Sequence, residues 1–232
     1  MQQDMKLRDV MVFDYDGTLT LEDGVIPKET VEMLSRVHQK NLAELGIVSG
    51  RDLDFLMRTN ESIGNLFSFL VAENGAISYF LDTNERIVRG EEWSKKAREV
   101  FANVGYSVNF YQIILTASVV YTEQVSETLK VSGLESKVVL NKDSVMVMPP
   151  TVDKGTGVSS AIAHIGPTKP LRVTCFGDGE NDEALFAPAD RRIAVSNAVP
   201  SLKLIADQVT TAPGGLGIIQ YLTETFPEIK ER

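Results

Sequence analysis

The chain has 232 residues, 43% of them hydrophobic and 24% charged, with a formal net charge of -9, and is long enough to bury a sizeable core. That acidity disfavours nucleic acid or another extended polyanion as a partner. The apolar runs are far shorter than a membrane span, and a single cysteine excludes an internal disulfide.

The first predicted element is a strand over Val10, Met11, Val12 and Phe13, continuously apolar as expected for a parallel strand buried on both faces. Lys6 and Arg8 precede only this short run, so no signal peptide is expected and the expected location is cytoplasmic. The strand delivers Asp14 and Asp16, then a turn at Gly17. In open α/β sheets ligands bind at the carboxyl ends of strands, and side chains two apart in extended chain share a face. One carboxylate could attack while its neighbour moves protons. Taken alone, Asp before Gly is also a common turn signal.

A helix is expected from Pro27, carrying Val31, Leu34 and Val37 inward. A second strand, Leu45 to Val48, runs into Ser49 and Gly50, followed by a helix over 52–60. A strand over 67–72 leads into Glu73-Asn74-Gly75 and a return strand over 76–81. The pattern then changes. Trp93, Ala97, Val100, Phe101 and Val104 form a helical stripe, and Tyr111 to Tyr121 is strand-like. Val125 and Leu129 mark a short helix, and two short strands over 138–140 and 145–148 flank a turn at 141–143. This α-β-α-β-β insertion reads as a small lid, closed by Pro149 and Pro150.

The next helix, 153–165, has Lys154 in its first turn, where the positive end of the macrodipole disfavours a cation unless an anion is near. A last strand, Leu171 to Phe176, runs into Gly177-Asp178-Gly179-Glu180-Asn181-Asp182. Cys175 inside it reads as a buried structural thiol. His38 and His164 lie on helical patterns with no neighbouring Cys or His, so zinc is not expected. The charged tail after Pro227 is expected to fray.

Three strands would thus bring Asp14, Asp16, Ser49, Asp178 and Asp182 to one sheet edge. Four carboxylates there would repel one another, and Mg2+, which favours a few carboxylates plus water and phosphate oxygens, is the natural occupant. Lys154 then becomes a candidate phosphate anchor. The alternating order of strands and helices predicts an α/β fold with a Rossmann-like parallel sheet. Residues 1–82 and 150–232 would form the catalytic core, and 83–149 a small α+β cap.

In order, Asp14-Tyr-Asp-Gly-Thr-Leu19, Ser49-Gly50, Lys154 and Gly177-Asp-Gly-Glu-Asn-Asp182 resemble the motifs of the haloacid dehalogenase superfamily of phosphatases. With Val71-Ala-Glu-Asn-Gly-Ala-Ile-Ser-Tyr79 and the cap size, the chain looks most similar to archaeal phosphoglycolate phosphatases. The resemblance implies a Mg2+-dependent hydrolase in carbohydrate metabolism, a monomer or homodimer acting on a small phosphorylated metabolite, with 2-phosphoglycolate foremost. It implies that Asp14 is the nucleophile and Asp16 the acid and base. Ser49, Gly50, Lys154 and Asn181 would hold the phosphate, and Asp14, Asp16 (through its backbone carbonyl), Asp178 and Asp182 the metal. Arg86 and Arg89 are candidates, by charge, for the substrate's carboxylate. A broad sugar-phosphate phosphatase, reading hydroxyls through Tyr111, Gln112 or Thr116, is the alternative. A phosphomutase and a non-catalytic binding module are further alternatives, although no essential group is missing.

Overall fold

The structure is a computed structural model describing residues 7–21, 24–141, 143–166 and 170–230. Strand β1 (Arg8–Asp14) is followed by a wide turn, Tyr15–Leu19, helix α1 (Lys28–Gln39), β2 (Glu44–Val48) and α2 (Leu53–Ser62). Next come β3 (Phe69–Ala72), β4 (Ile77–Phe80) and β5 (Arg86–Val88). A second group comprises α3 (Glu91–Phe101), β6 (Val108–Phe110), β7 (Leu115–Ser118), α4 (Thr122–Ser132), β8 (Lys137–Asn141) and β9 (Ser144–Met148). The chain then runs through α5 (Lys154–Ile165), β10 (Leu171–Gly177), α6 (Asp182–Leu185), β11 (Arg191–Ala194), α7 (Pro200–Ile205), β12 (Gln208–Val209) and α8 (Gly214–Thr225).

The large sheet has the order β12-β11-β10-β1-β2-β3-β4-β5. It is parallel from β12 to β3, and β4 and β5 add antiparallel at one edge. The parallel sheet expected from sequence is therefore mixed, and β5 carries residues beyond 82 into it. On β1, Met11 and Phe13 pack with Leu34, Ile47 and Tyr221 on one face, while Val10 and Val12 pack with Val158, Ala161 and Cys175 on the other. Both faces are covered, which explains the unbroken apolar run. Because β1 lies between β2 and β10, the chain leaves it in both directions, and a crevice opens at its carboxyl end.

The smaller sheet, β6-β7-β9-β8, is antiparallel, and α3 and α4 pack on it through Trp93, Ala97, Phe101 and Val125. Leu115, Val145 and Val147 face these helices. The insertion has one strand more than expected, β6, and the strand expected over 111–121 is only Leu115–Ser118. Residues 112–114 are instead held by Glu73, whose buried carboxylate accepts from the backbone N–H groups of Gln112, Ile113 and Ile114 at 3.0, 2.8 and 3.0 Å. Backbone N–H groups without a ladder thus find their acceptors in a side chain of the turn between β3 and β4. Of the turn expected at 141–143, Lys142 lies outside the described residues. The tail is not frayed through Lys230, because Ile229 is buried and its carbonyl accepts from Arg36. Among the described residues no helix is long and apolar enough to cross a membrane.

Candidate active site

Asp14 ends β1, Ser49 follows β2, and Asp178 follows β10, so three adjacent parallel strands deliver them to one edge. Lys154 starts α5, whose N-cap Asp153 and Thr156 form a reciprocal capping box. The helix start is thereby fixed and the lysine directed inward. Its Nζ donates to Asp14 Oδ1 at 2.6 Å and to Asp182 Oδ1 at 2.7 Å, with all three side chains buried. Two carboxylates answer the unfavourable macrodipole position of the lysine. Burial works against the Lys154 charge, but Asp14 and Asp182 outweigh it and hold its pKa above the ordinary value.

Asp182 Oδ2 accepts from the backbone N–H groups of Asp178 and Gly179, both at 2.9 Å, and so shapes the acidic loop. Thr18 donates to Asp178 Oδ1 at 3.0 Å. Gly17 has φ +95°, and a Cβ there would lie 2.2 Å from Asp178 Oδ2, so only glycine lets the turn approach this carboxylate. Asn197 ties the turn down, donating to the Gly17 carbonyl at 2.8 Å while accepting from Gly214 N–H.

Oxygen atoms of Asp14, Asp178 and Asp182 lie within 4.8 Å of one another, a donor set that suits a hard divalent cation. Burial, then Asp182, raises the Asp14 pKa well above the carboxylate range, and the same causes push Asp178 up to about 6. Lys154 alone does not balance the cluster, and the residues fit the Mg2+ cofactor.

The Asp16 side chain stands outside this cluster. It is paired with Arg51, which donates Nε to Oδ2 at 3.1 Å and Nη2 to Oδ1 at 2.7 Å. Ser49 is buried, and its Oγ accepts from Arg51 N–H at 3.1 Å. The chain at Ser49 to Arg51 is braced by Glu73 N–H and Asn74 N–H, which donate to the carbonyls of Arg51 and Ser49. Glu73 and Asn74 both have positive φ, 51° and 52°, held by the buried Glu73 carboxylate and these bonds. Asp14, Asp16, Ser49, Gly50, Lys154, Asp178 and Asn181 line one cavity of about 250 Å3. Asn181 makes no hydrogen bond to Ser49 or Lys154 among the described residues. Arg89 does not face this cavity, since it donates to the Gly75 carbonyl and Ser78 Oγ.

Arg51, Thr18, Asn197 and the bracing role of Glu73 are absent from the sequence reading. Only Arg51 had a local signal, lying two residues beyond Ser49 in the same stretch.

A sequence profile described as haloacid dehalogenase-like hydrolase matches residues 11–143 and 108–222. "Phosphoglycolate phosphatase 2" of Saccharolobus solfataricus is 31% identical over 217 residues, covering 90% of this chain and 88% of that protein. "Phosphoglycolate phosphatase" of Haloarcula marismortui is 30% identical, covering 90% of this chain and 94% of that protein. A crystal structure of a haloacid dehalogenase-like hydrolase from Bacteroides thetaiotaomicron superposes with a TM-score of 0.78 at 18% identity, covering 95% of this chain and all of that one.

Proposed function

The chain belongs to the haloacid dehalogenase-like hydrolases and is a Mg2+-dependent phosphatase of the aspartyl-phosphate type, and from that premise we propose that its substrate is a small phosphorylated acid, 2-phosphoglycolate foremost. The observation that carries the reading is the buried Lys154 ammonium shared by Asp14 and Asp182 at the floor of a 250 Å3 cavity beside Asp178. A phosphoryl group entering there meets a cation, a carboxylate and the Ser49–Gly50 backbone together.

In this mechanism Asp14 attacks phosphorus while Lys154 and Ser49 hold phosphoryl oxygens, with Gly50 and Asn181 lining the same cavity. Asp14, Asp178, Asp182 and the Asp16 carbonyl would hold Mg2+, whose positive charge would let a phosphate dianion approach these carboxylates. Asp16 protonates the leaving alcohol and afterwards takes the proton of the water that hydrolyses the aspartyl phosphate. The insertion from α3 to β9 acts as the cap, laying the Thr116 and Met146 face of the small sheet over the site. The names of the archaeal relatives support phosphoglycolate. Tyr111 and Thr116, which line a neighbouring cavity with Asp16, favour the second reading, a broader sugar-phosphate phosphatase. Specificity constants for phosphoglycolate, hexose phosphates and nucleotides decide between them. A lead of about tenfold for hexose phosphates or nucleotides, some 1.4 kcal/mol in transition-state binding, refutes the narrow substrate while leaving the phosphatase intact.

A further inference from the structure

Two larger cavities flank the catalytic one and offer room for the leaving group of a phosphate ester. The first, about 720 Å3, shares Lys154 and Asn181 with the catalytic cavity and lies between β8 and the acidic loop. Its other cation, Lys137, is paired with Asp153 at 2.9 Å, and Asp16, read above as the proton donor to the leaving oxygen, is not among its lining residues. The second, about 320 Å3, shares Asp16 and Gly50 with the catalytic cavity and is roofed by Thr116, Ser144 and Met146. Arg51 is its one lining cation among the described residues, beside the carboxylates of Asp16 and Asp143.

We propose that Arg51 reads the carboxylate of a small phosphorylated acid in this second cavity. This rests on the phosphatase reading above. Both oxygens of Asp16 are held by Arg51, whose fork matches the two oxygens of a carboxylate. The pair is half-exposed, with side chains 49% and 30% accessible, and such pairs exchange partners at little cost. The guanidinium also lies 5.0 Å from the centre of the Phe55 ring, a second hold that keeps it in place when Asp16 lets go.

The test compares 2-phosphoglycolate with ethyl phosphate, which carries a methyl in place of the carboxylate, in wild type, Arg51→Gln and Arg51→Lys with saturating Mg2+. Wild type is expected to favour phosphoglycolate, and Arg51→Gln to reduce that preference by at least ~30-fold, chiefly through KM. Arg51→Lys should recover part of the KM and little of the kcat, because a point charge attracts the carboxylate without the fork that holds it. Melting curves establish that both variants are folded. Equal proportional losses on the two esters, or a preference that survives Arg51→Gln, overturn the proposal and reduce Arg51 to a support for Asp16. A wild type that hydrolyses both esters without preference also overturns it while leaving the phosphatase standing. A wild type that releases phosphate from neither, nor from an aryl phosphate, overturns the phosphatase reading itself.

Discussion

Lys154 donates to Asp14 Oδ1 at 2.6 Å across 140 residues of chain, and the same ammonium holds Asp182. One buried cation between two buried anions leaves a net negative charge in a low-dielectric floor, before Asp178 is counted. Activity and stability therefore oppose each other here.

Asp14→Asn should abolish turnover and the phosphoenzyme, since an amide is a poor nucleophile though nearly isosteric. The same change removes the carboxylate whose ionisation burial and Asp182 oppose, so the metal-free protein should melt no lower than wild type. Calorimetry and trapping with labelled substrate check both halves. Wild-type turnover in this variant would rule out the covalent route.

Lys154→Ala should do the reverse, lowering activity and stability together. It strands Asp14 and Asp182 without their shared donor, and losing one member of a buried ion cluster costs about 3–5 kcal/mol. Lys154→Arg should rescue poorly, because a forked guanidinium does not fit a position set by two bonds to one nitrogen. Denaturant melts of the metal-free proteins measure the first effect and steady-state kinetics the second.

EDTA should abolish activity and Mg2+ restore it, with Ca2+ restoring little because its looser coordination suits attack by Asp14 poorly. The pH dependence follows from Asp178, pushed up to about 6 first by burial and then by Asp182. A carboxyl whose folded pKa lies above its unfolded value stabilises the fold fully below the unfolded pKa and loses that contribution as pH rises through the folded one. The metal-free protein should thus lose stability between about pH 4 and about pH 6, while Mg2+, which needs the ionised form, binds more tightly over the same interval. The rise in Tm on adding Mg2+ should be larger at pH 7 than at pH 5. An equal rise at both values would contradict this coupling.

Glu73→Ala should loosen the cap by stranding three backbone N–H groups, a cost of about 3 kcal/mol or more. Glu73→Gln should cost about 1–2 kcal/mol, since its single carbonyl can keep Ile113 and Ile114 while its amide turns an N–H toward that of Gln112. Hydrogen exchange at residues 112–114 should accelerate in both variants before the large sheet is affected.

Much of the site was legible because it is local. An apolar run buried on both faces announces β1, and the residues just past its end, and past β2 and β10, must lie together once those strands pair. The helix at Lys154 was readable from its apolar period, and its unfavourable charge position pointed to an anion that Asp14 and Asp182 supply. Other features have no local cause. The run Ile113, Ile114 and Leu115 has strand composition, yet its first two members are held by a glutamate about 40 residues away. The charged tail has the composition of a frayed end, but Phe226 and Ile229 are buried and Arg36 caps the latter's carbonyl.

By itself, then, the sequence determined which groups reach the sheet edge, because strand periodicity and chain direction fix where each run ends. Only the tertiary structure decided how those groups divide. Lys154 sits between Asp14 and Asp182, while Asp16 turns to Arg51, and such a choice of ion-pair partner depends on distances of a few ångströms between separate strands, which no pattern along one strand encodes.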